Sequence, residues 1–216
     1  MLKKSFFIVF EGIEGSGKSY QAKILYKKLK KKIKNIILTR EPGGTKSAEV
    51  IRKLILKDYF EKNKKIKFDK YTDTLLYLAA RNEHIKNKIL PSIKKGKIII
   101  CDRFIDSTMA YQVHGKKVSF KFINNIHKQI LGKIRADLVF VLKVKKQSFL
   151  KRLKKRKTRN RYDNFPVKFY LKAQRAFVNI SKNKSKYIVL DSSNNTPDLQ
   201  KKIFKIVVKK LGIKKW

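Results

Sequence analysis

Residues 12–19 read Gly12-Ile13-Glu14-Gly15-Ser16-Gly17-Lys18-Ser19, which matches the phosphate-loop pattern Gly-x4-Gly-Lys-Ser/Thr. The run before it, Phe6-Phe7-Ile8-Val9-Phe10, is apolar and typical of a buried strand. Ile24, Leu25 and Leu29 follow the loop at helical spacing. The predicted order is therefore strand, loop and helix, which is the context that this pattern needs. The alternative is a glycine-rich turn without a ligand.

The residue types of this loop suit a phosphate ligand. Glycines allow successive backbone N–H groups to converge on a phosphate at the positive N-terminus of a helix. Lys18 adds a full positive charge, and the hydroxyl of Ser19 can reach a magnesium ion. The sequence therefore predicts a nucleoside-triphosphate site with magnesium.

The rest of the chain alternates between short apolar runs and amphipathic segments. Further strands are predicted at residues 35–39, 97–101, 138–142 and 187–190. Helices are predicted at residues 71–93, 120–131, 147–155, 167–180 and 197–211, and one more behind a cap at Thr45 or Ser47. Five strands alternating with helices predict a parallel sheet that is covered on both faces.

Length and composition predict one cytoplasmic domain. The chain has 216 residues and no Gly/Ser/Pro-rich linker, so residues 1–216 are expected to share one core. Its one cysteine, Cys101, follows three isoleucines and suits the inside of a strand in a reducing compartment. No apolar run approaches the length of a membrane span, and no secretory signal precedes the first strand.

The formal net charge of +42 favours contact with polyanions. The excess is lysine that is spread over nearly every segment, alongside abundant Ile, Asn, Phe and Tyr, which A/T-rich codons favour. Drift in base composition is therefore preferred over a dedicated nucleic-acid surface, and we expect no specific nucleic-acid partner.

Polar residues follow the second and third predicted strands. Arg40 ends one, and Asp102-Arg103 ends the other. Since the carboxyl ends of parallel strands meet at the ligand crevice of an open sheet, Asp102 is a candidate magnesium ligand and both arginines are candidate phosphate ligands. The alternatives are a helix N-cap for Asp102 and surface salt bridges for the arginines.

The histidines do not suggest a catalytic base. His84, His114 and His127 are isolated, without metal-ligand spacing. A phosphate acceptor needs no base, because its second pKa is about 6 and it is mostly dianionic at neutral pH. An acceptor hydroxyl would need a carboxylate base.

Four arginines cluster in a segment at about residues 152–165, which is predicted to be a mobile lid. Arg152, Arg156 and Arg159 have helical spacings of four and three, and Arg161 follows. They can close on a phosphate as an electrostatic clamp, with Asp163 holding one arginine back. A solvated basic face is the alternative.

Taken together, these residues resemble the thymidylate kinase family over nearly the whole chain. The motifs that carry the resemblance are the phosphate loop, Arg40-Glu41-Pro42-Gly43-Gly44-Thr45, Ala79-Ala80-Arg81, Asp102-Arg103, Ser107-Thr108 and Tyr111-Gln112. The resemblance implies a P-loop nucleoside-monophosphate-kinase-like three-layer fold. It also implies phosphorylation of dTMP to dTDP by ATP with Mg²⁺, in dTTP biosynthesis, by a homodimer.

The resemblance also implies roles for single residues. Arg40 and Arg103 would hold the dTMP phosphate, Glu14 would meet the sugar 3′-hydroxyl, and Lys18 and Ser19 would handle ATP and magnesium. Tyr77 would stack on thymine, and Tyr111 would crowd the 2′ position. The base edge would be contacted by Arg81 and Thr108, with Gln112 nearby. Ser107 is also a candidate substrate-binding residue, and Phe68 matches only loosely.

The family has two arrangements of catalytic cations, one with an arginine in the phosphate loop and one with arginines in the lid. Gly15 stands where the first arrangement has arginine, so the chain resembles the bacterial lid type, with Arg152, Arg156 and Arg161 as catalytic cations and Arg156 as the central one. Tyr162 and Asp163 depart from the commoner apolar-then-Glu pair, and Arg159 is additional.

Other functions compete with this one. Another nucleoside-monophosphate kinase would use the same chemistry on a different base. A nucleic-acid-dependent ATPase would also use a phosphate loop and a basic surface, and its hydrolysis would be stimulated by DNA or RNA. A purely structural basic protein would not require Gly17-Lys18-Ser19 beside a strand.

Overall fold

The computed structural model describes residues 5–57, 59, 67–155, 161–194 and 196–213, without the side chains of residues 163 and 164. In this part of the chain, five strands form one parallel sheet in the order β2-β3-β1-β4-β5. The strands are β1 (Phe6–Glu11), β2 (Ile36–Arg40), β3 (Ile98–Asp102), β4 (Leu138–Lys143) and β5 (Tyr187–Asp191). The predicted five-stranded parallel sheet is confirmed.

The strands are nearly continuous apolar runs because both faces of the sheet are buried. Alternate residues of β1 enter two separate cores: Phe7 and Val9 lie in one, and Ile8 and Phe10 in the other. Each strand extends by one residue beyond its predicted carboxyl end. The added residues are polar or charged, yet Glu11, Arg40 and Asp102 still pair with neighbouring strands.

Helices cover both faces. The first face carries α1 (Lys18–Lys30) and α9 (Pro197–Lys210), which bury Leu25, Leu29 and Ile203 against the sheet. The second face carries α8 (Val167–Ser181) and the region around Ile85 and Ile89. The other helices described are α2 (Lys46–Leu56), α3 (Lys70–His84), α4 (Leu90–Lys94), α5 (Ile105–Thr108), α6 (Phe120–Leu131) and α7 (Lys146–Lys154).

The long helix predicted at residues 71–93 contains a wider turn. A π-helical turn at Ile85–Ile89 separates α3 from α4. Pro91, just beyond this turn, has no backbone N–H and cannot continue the α-helical ladder. A second π-helical segment, Met109–Gly115, follows α5 and was not predicted. Thr45 is confirmed as the cap of α2, because its Oγ1 accepts a hydrogen bond from the N–H of Ala48 at 3.2 Å.

The topology brings the polar strand ends to one edge of the sheet. Phe10 of β1 lies opposite Asp102 of β3, and Arg40 of β2 lies opposite the same residue. The phosphate loop leaves β1 at this edge. The predicted lid is described in part, as the end of α7 and a 3-10 turn at Arg161–Asn164. No helix among the described residues combines the length and apolarity that crossing a membrane requires.

Candidate active site

The phosphate loop joins β1 to α1 with its glycines in conformations that a side chain would strain. Gly17 caps α1 with a φ of 86°, and a Cβ on Gly12 would lie 2.5 Å from the carbonyl oxygen of Leu142. Lys18 is 6% exposed and donates from Nζ to the Ile13 carbonyl oxygen at 2.9 Å. Burial, followed by the charge of Arg103, lowers the pKa of Lys18 to about 8. An anion bound here would therefore meet an amine that is largely buried.

Ser19 and Asp102 meet beside this loop. The Ser19 hydroxyl donates to Oδ2 of Asp102, and among the described residues Oδ1 of Asp102 is buried without a hydrogen-bond partner. A hydroxyl and one carboxylate are ligands that magnesium takes together with nucleotide phosphates and water. The described residues contain no cluster of three or more His, Cys, Asp or Glu side chains that could hold a metal without a nucleotide. This donor set fits a nucleotide-bound magnesium ion.

Arg103 is fixed between the phosphate loop and α5. Its φ is 73°, a left-handed conformation that turns the chain sharply after β3. Its guanidinium lies 2.7 Å from Glu14 and donates to the Gly12 carbonyl oxygen and the Ser107 hydroxyl at 3.0 and 3.1 Å. Burial raises the pKa of Glu14, but the charge of Arg103 and then that of Lys18 outweigh burial and keep the pKa below its ordinary value. Glu14 is therefore ionised.

Glu11, which sequence reasoning missed, holds the turn that carries Arg103. It is fully buried, and Oε1 accepts from the N–H groups of Phe104 and Ser107 at 2.8 and 3.2 Å. Its Oε2 accepts from the Ser107 hydroxyl at 2.7 Å. Burial and the neighbouring Asp106 raise the pKa of Glu11 to about 8. An acidic residue directly before a phosphate-loop glycine was the signal that could have identified it.

One cavity of about 710 Å³ connects the phosphate loop to a set of aromatic and polar side chains. The Tyr111 hydroxyl donates to Oε2 of Glu14 at 2.5 Å, which places this ring beside the loop. Gln112 is 2% exposed, and its Nε2 has no hydrogen-bond partner among the described residues. The predicted residues that line the cavity are Glu14, Gly15, Gly17, Lys18, Ser19, Arg40, Tyr77, Arg81, Asp102, Arg103, Ser107, Thr108, Tyr111, Gln112 and Arg152.

Arg81 is the centre of a buried polar network in this cavity. Its guanidinium donates to Glu41 Oε2 at 2.7 Å, to Thr108 Oγ1 at 2.7 Å and to the Phe104 carbonyl oxygen at 2.9 Å. Nε2 of His127 lies 2.8 Å from the same guanidinium. Burial, the charge of Arg81 and that of Arg135 lower the pKa of His127 to about 3, so this ring is neutral and accepts the hydrogen bond.

A second histidine belongs to this network. Nδ1 of His84 lies 3.0 Å from Oε1 of Glu41, and its Nε2 lies 2.6 Å from Oγ1 of Thr39. Sequence reasoning treated both histidines as isolated, because their partners are 43 and 46 residues away along the chain. Partners among the described residues use four of the five guanidinium N–H groups of Arg81, which leaves one N–H for a ligand.

The arginine at the end of β2 is less constrained than Arg103. Arg40 has a 52% exposed side chain and pairs with Glu49 at 2.9 Å. Arg52, which sequence reasoning missed, also lines the cavity and donates to the Pro42 carbonyl oxygen at 2.6 Å. This side of the cavity therefore carries a third cation near Arg40 and Arg103.

The predicted lid arginines do not all reach the cavity. Arg152 donates to the Gly15 carbonyl oxygen at 2.9 Å and to those of Ser192 and Ser193 at 2.7 Å each. Arg161 is not among the described residues that line the cavity; it donates to the Ile55 carbonyl oxygen and pairs with Asp73. Phe68 also lies outside the described lining and sits 5.7 Å from the Arg161 guanidinium. Arg156 and Arg159 lie outside the described residues, as does the Asp163 side chain.

The phosphate loop opens into a cavity that is lined by further cations and by aromatic side chains. This arrangement is typical of a P-loop kinase that acts on a small nucleotide. Comparisons with known proteins give the family. Residues 10–203 match the family model described as thymidylate kinase. A thymidylate kinase from Wolbachia sp. subsp. Brugia malayi is 42% identical over 179 residues, which is 82% of each chain.

Other relatives agree over longer stretches. A thymidylate kinase from Sulfurihydrogenibium sp. is 37% identical over 197 residues, covering 91% of this chain and 93% of that one. The crystal structure of thymidylate kinase from Ehrlichia chaffeensis superposes with a TM-score of 0.72 at 30% identity, covering 94% and 99% of the two chains. The chain therefore belongs to the thymidylate kinase family, and it phosphorylates dTMP to dTDP.

Proposed function

We propose that ATP is the phosphoryl donor on residues 12–19 and that dTMP is the acceptor in the adjoining cavity, within dTTP biosynthesis. The observation that carries this assignment is that Lys18 and Ser19 share one cavity with Tyr77 and Arg81. Donor and acceptor phosphates can therefore meet inside one cavity. Phosphoryl transfer depends mainly on such positioning and on neutralising charge.

Magnesium is proposed to bind through Ser19 and Asp102 together with ATP phosphates. The support is the contact between the Ser19 hydroxyl and the Asp102 carboxylate, together with Oδ1 of Asp102, which is buried without a hydrogen-bond partner among the described residues. When bound, magnesium neutralises phosphate charge and orients the donor. Lys18 would exchange its contact with the Ile13 carbonyl for a phosphate oxygen.

Arg103 and Arg40 are proposed to hold the acceptor phosphate, and Arg52 is added to them. Arg103 is fixed by Glu14 and the Gly12 carbonyl, so its charge is already oriented. Arg40 is exposed and can rotate from Glu49 onto a phosphate. A dTMP phosphate is mostly dianionic at neutral pH and attacks without losing a proton, so no base is required.

The thymine base and the sugar of dTMP are proposed to contact separate sets of side chains in the cavity. Tyr77 stacks on thymine. The edge of thymine is bonded by the remaining Arg81 N–H, by Thr108 and by Nε2 of Gln112, which has no hydrogen-bond partner among the described residues. Ser107 orients Arg103 rather than the base, because its hydroxyl is shared between Arg103 and Glu11. Glu14 meets the 3′-hydroxyl, and Tyr111, held by Glu14, fills the 2′ side and favours deoxyribose.

A lid-type arrangement of catalytic cations is proposed. Arg152 donates to Gly15, the position at which the other arrangement carries its arginine. A Cβ on Gly15 would lie 3.6 Å from the Arg152 Cβ. An arginine at position 15 and Arg152 would therefore place their charges in the same part of the site. Arg156 stays a prediction from the sequence.

The protein is further proposed to be a cytoplasmic homodimer with one domain over residues 1–216. Apolar side chains are exposed at i, i+4 spacing on two helices that pack together: Val50 and Leu54 on α2, and Tyr71 and Leu75 on α3. A monomer rarely leaves such neighbouring positions uncovered, which supports a second copy at this face.

A coupled assay of ATP consumption with dTMP, dUMP, dCMP and AMP in parallel tests the assignment. dTMP should be the preferred acceptor, and removal of magnesium should abolish turnover. Lys18→Ala should cripple turnover, while Lys27→Ala, an exposed lysine on the same helix, should not. An unchanged rate in folded Lys18→Ala protein, or ATP hydrolysis that depends on DNA and not on dTMP, would overturn the proposal.

A further inference from the structure

Asp73, which lies one helical turn before Tyr77, is a buried carboxylate with partners from distant segments. Its side chain is 1% exposed. Nζ of Lys116 lies 2.6 Å from Oδ2, the Tyr162 hydroxyl donates to the same oxygen at 3.1 Å, and Arg161 forms an ion pair with Oδ1. Lys116 and Tyr162 are 43 and 89 residues away in the sequence.

Tyr162 connects this cluster to the cavity. The residue is 4% exposed and lines the cavity wall. Its ring meets Tyr77 edge-on, with centroids 6.1 Å apart, and Tyr111 in the same manner at 6.4 Å. Nζ of Lys116 lies 5.2 Å from the centre of the Tyr162 ring. Three tyrosine rings therefore line the cavity that is assigned to the base and sugar.

A buried carboxylate with two cations is a costly way to hold a turn. Taking the charges out of water costs several kcal/mol for each ion, and only well-placed partners repay it. Apolar residues would pack the same space at lower cost. The charged cluster instead fixes the orientation of this turn. Oδ2 of Asp73 accepts a hydrogen bond from the Tyr162 hydroxyl, and Oδ1 pairs with Arg161, the residue before Tyr162.

We propose that Tyr162 is a third aromatic wall of the dTMP pocket and determines base specificity, and that Asp73 is the positioning residue that holds it there. Arg161 serves this anchor and not the phosphoryl transfer, since its guanidinium is bound to Asp73 and the Ile55 carbonyl outside the cavity lining. The inference rests on the proposed location of dTMP and deepens it.

The two roles of Arg161 predict opposite kinetics. If it anchors Tyr162, Arg161→Gln should raise the KM for dTMP and leave the single-turnover rate at saturating substrate within about threefold of wild type. If it supplies a transition-state charge, the same variant should lose roughly 10³-fold or more in that rate with little change in dTMP affinity.

The test uses the full chain with Asp73→Asn, Arg161→Gln, Tyr162→Phe and Tyr162→Ala. Tyr162→Ala should weaken dTMP binding by roughly 5- to 150-fold, the range for one lost aromatic–base stack. Asp73→Asn should move in the same direction, and Tyr162→Phe should fall between Tyr162→Ala and wild type because it keeps the ring. The KM for ATP should stay unchanged throughout, and discrimination against dCMP should fall with dTMP affinity.

Asp198→Asn is the matched control, since this aspartate is 86% exposed and is not among the described residues that line the cavity. Calorimetry with dTMP supplies affinities independently of turnover. Lys116→Gln carries the test of the cluster if Asp73→Asn does not fold. Unchanged dTMP affinity in Tyr162→Ala would refute the role of Tyr162 in the pocket. Unchanged dTMP affinity in Asp73→Asn, or in Lys116→Gln if Asp73→Asn does not fold, would refute the positioning role of Asp73. A wild-type protein that does not phosphorylate dTMP would instead remove the proposed function.

Discussion

Replacing His127 tests the buried network around Arg81. The ring accepts from the Arg81 guanidinium at 2.8 Å and is 4% exposed. His127→Leu removes the acceptor and leaves a guanidinium N–H unpaired in the interior, which should lower the free energy of unfolding by about 1–3 kcal/mol at pH 7.5. His127→Gln offers a carbonyl oxygen in place of the ring nitrogen and should cost less.

The same histidine should make stability fall in acid. Its pKa is about 3 in the folded chain, against an ordinary value of 6.5, because of burial and then the charge of Arg81. Below pH 6.5 the unfolded chain therefore binds a proton that the folded chain does not, so the contribution is complete above pH 6.5 and is lost as the pH falls. Between pH 7.5 and pH 5.0 this loss amounts to about 2 kcal/mol, from 1.36 kcal/mol per pH unit over about 1.5 units.

Urea unfolding of wild-type protein and His127→Gln at both pH values measures this quantity as a difference. Other groups titrate equally in both proteins, so their contributions cancel. Wild type should lose about 2 kcal/mol more than the variant between pH 7.5 and pH 5.0. Equal losses would refute the assignment of His127 as a buried neutral acceptor of the Arg81 hydrogen bond.

Three further predictions concern the reaction and the surface. Tyr77→Ala should weaken dTMP binding by roughly 1–3 kcal/mol in calorimetry, and equal affinity in both proteins would remove Tyr77 from the pocket. Arg152→Ala should lower the single-turnover rate more than it raises the KM for dTMP, and adding Arg156→Ala should lower that rate further. Near-normal single-turnover rates in the double variant would show that Arg152 and Arg156 have no catalytic role. DNA should bind weakly and with strong salt dependence, because the lysines are dispersed over the chain. Saturating DNA should not raise turnover at physiological salt, and a large DNA-dependent rise in ATP hydrolysis without dTMP would contradict this.

The fold was predictable because its signals are local. A buried parallel strand is a short apolar run, and the phosphate-loop pattern fixes the first strand–helix connection. The strand ends were placed one residue short, because Glu11, Arg40 and Asp102 are polar yet still pair in the sheet. The two π-helical turns were not predicted, because no residue pattern in the sequence marks the wider i to i+5 hydrogen-bonded turn.

Site residues were predictable where the sheet itself brings them together. Asp102 ends β3, Arg103 follows it, and the loop at residues 12–19 follows the neighbouring β1, so parallel pairing alone places them at one edge. Residues that act on these were not predictable, since no spacing rule links Glu11 to Ser107 or Arg81 to His127, which are 96 and 46 residues apart.

Tyr162 shows how a departure from a family pattern can be interpreted once contacts are known. The sequence identified a tyrosine where related lids carry an apolar residue, but the sequence could not say what the added hydroxyl does. In the folded chain this hydroxyl bonds Asp73, which Lys116 also contacts, and the ring closes against Tyr77. An apolar residue there would lack this hydroxyl bond. The position of the tyrosine is therefore tied to a buried charge on α3, and mutation of either residue should affect the same nucleotide pocket.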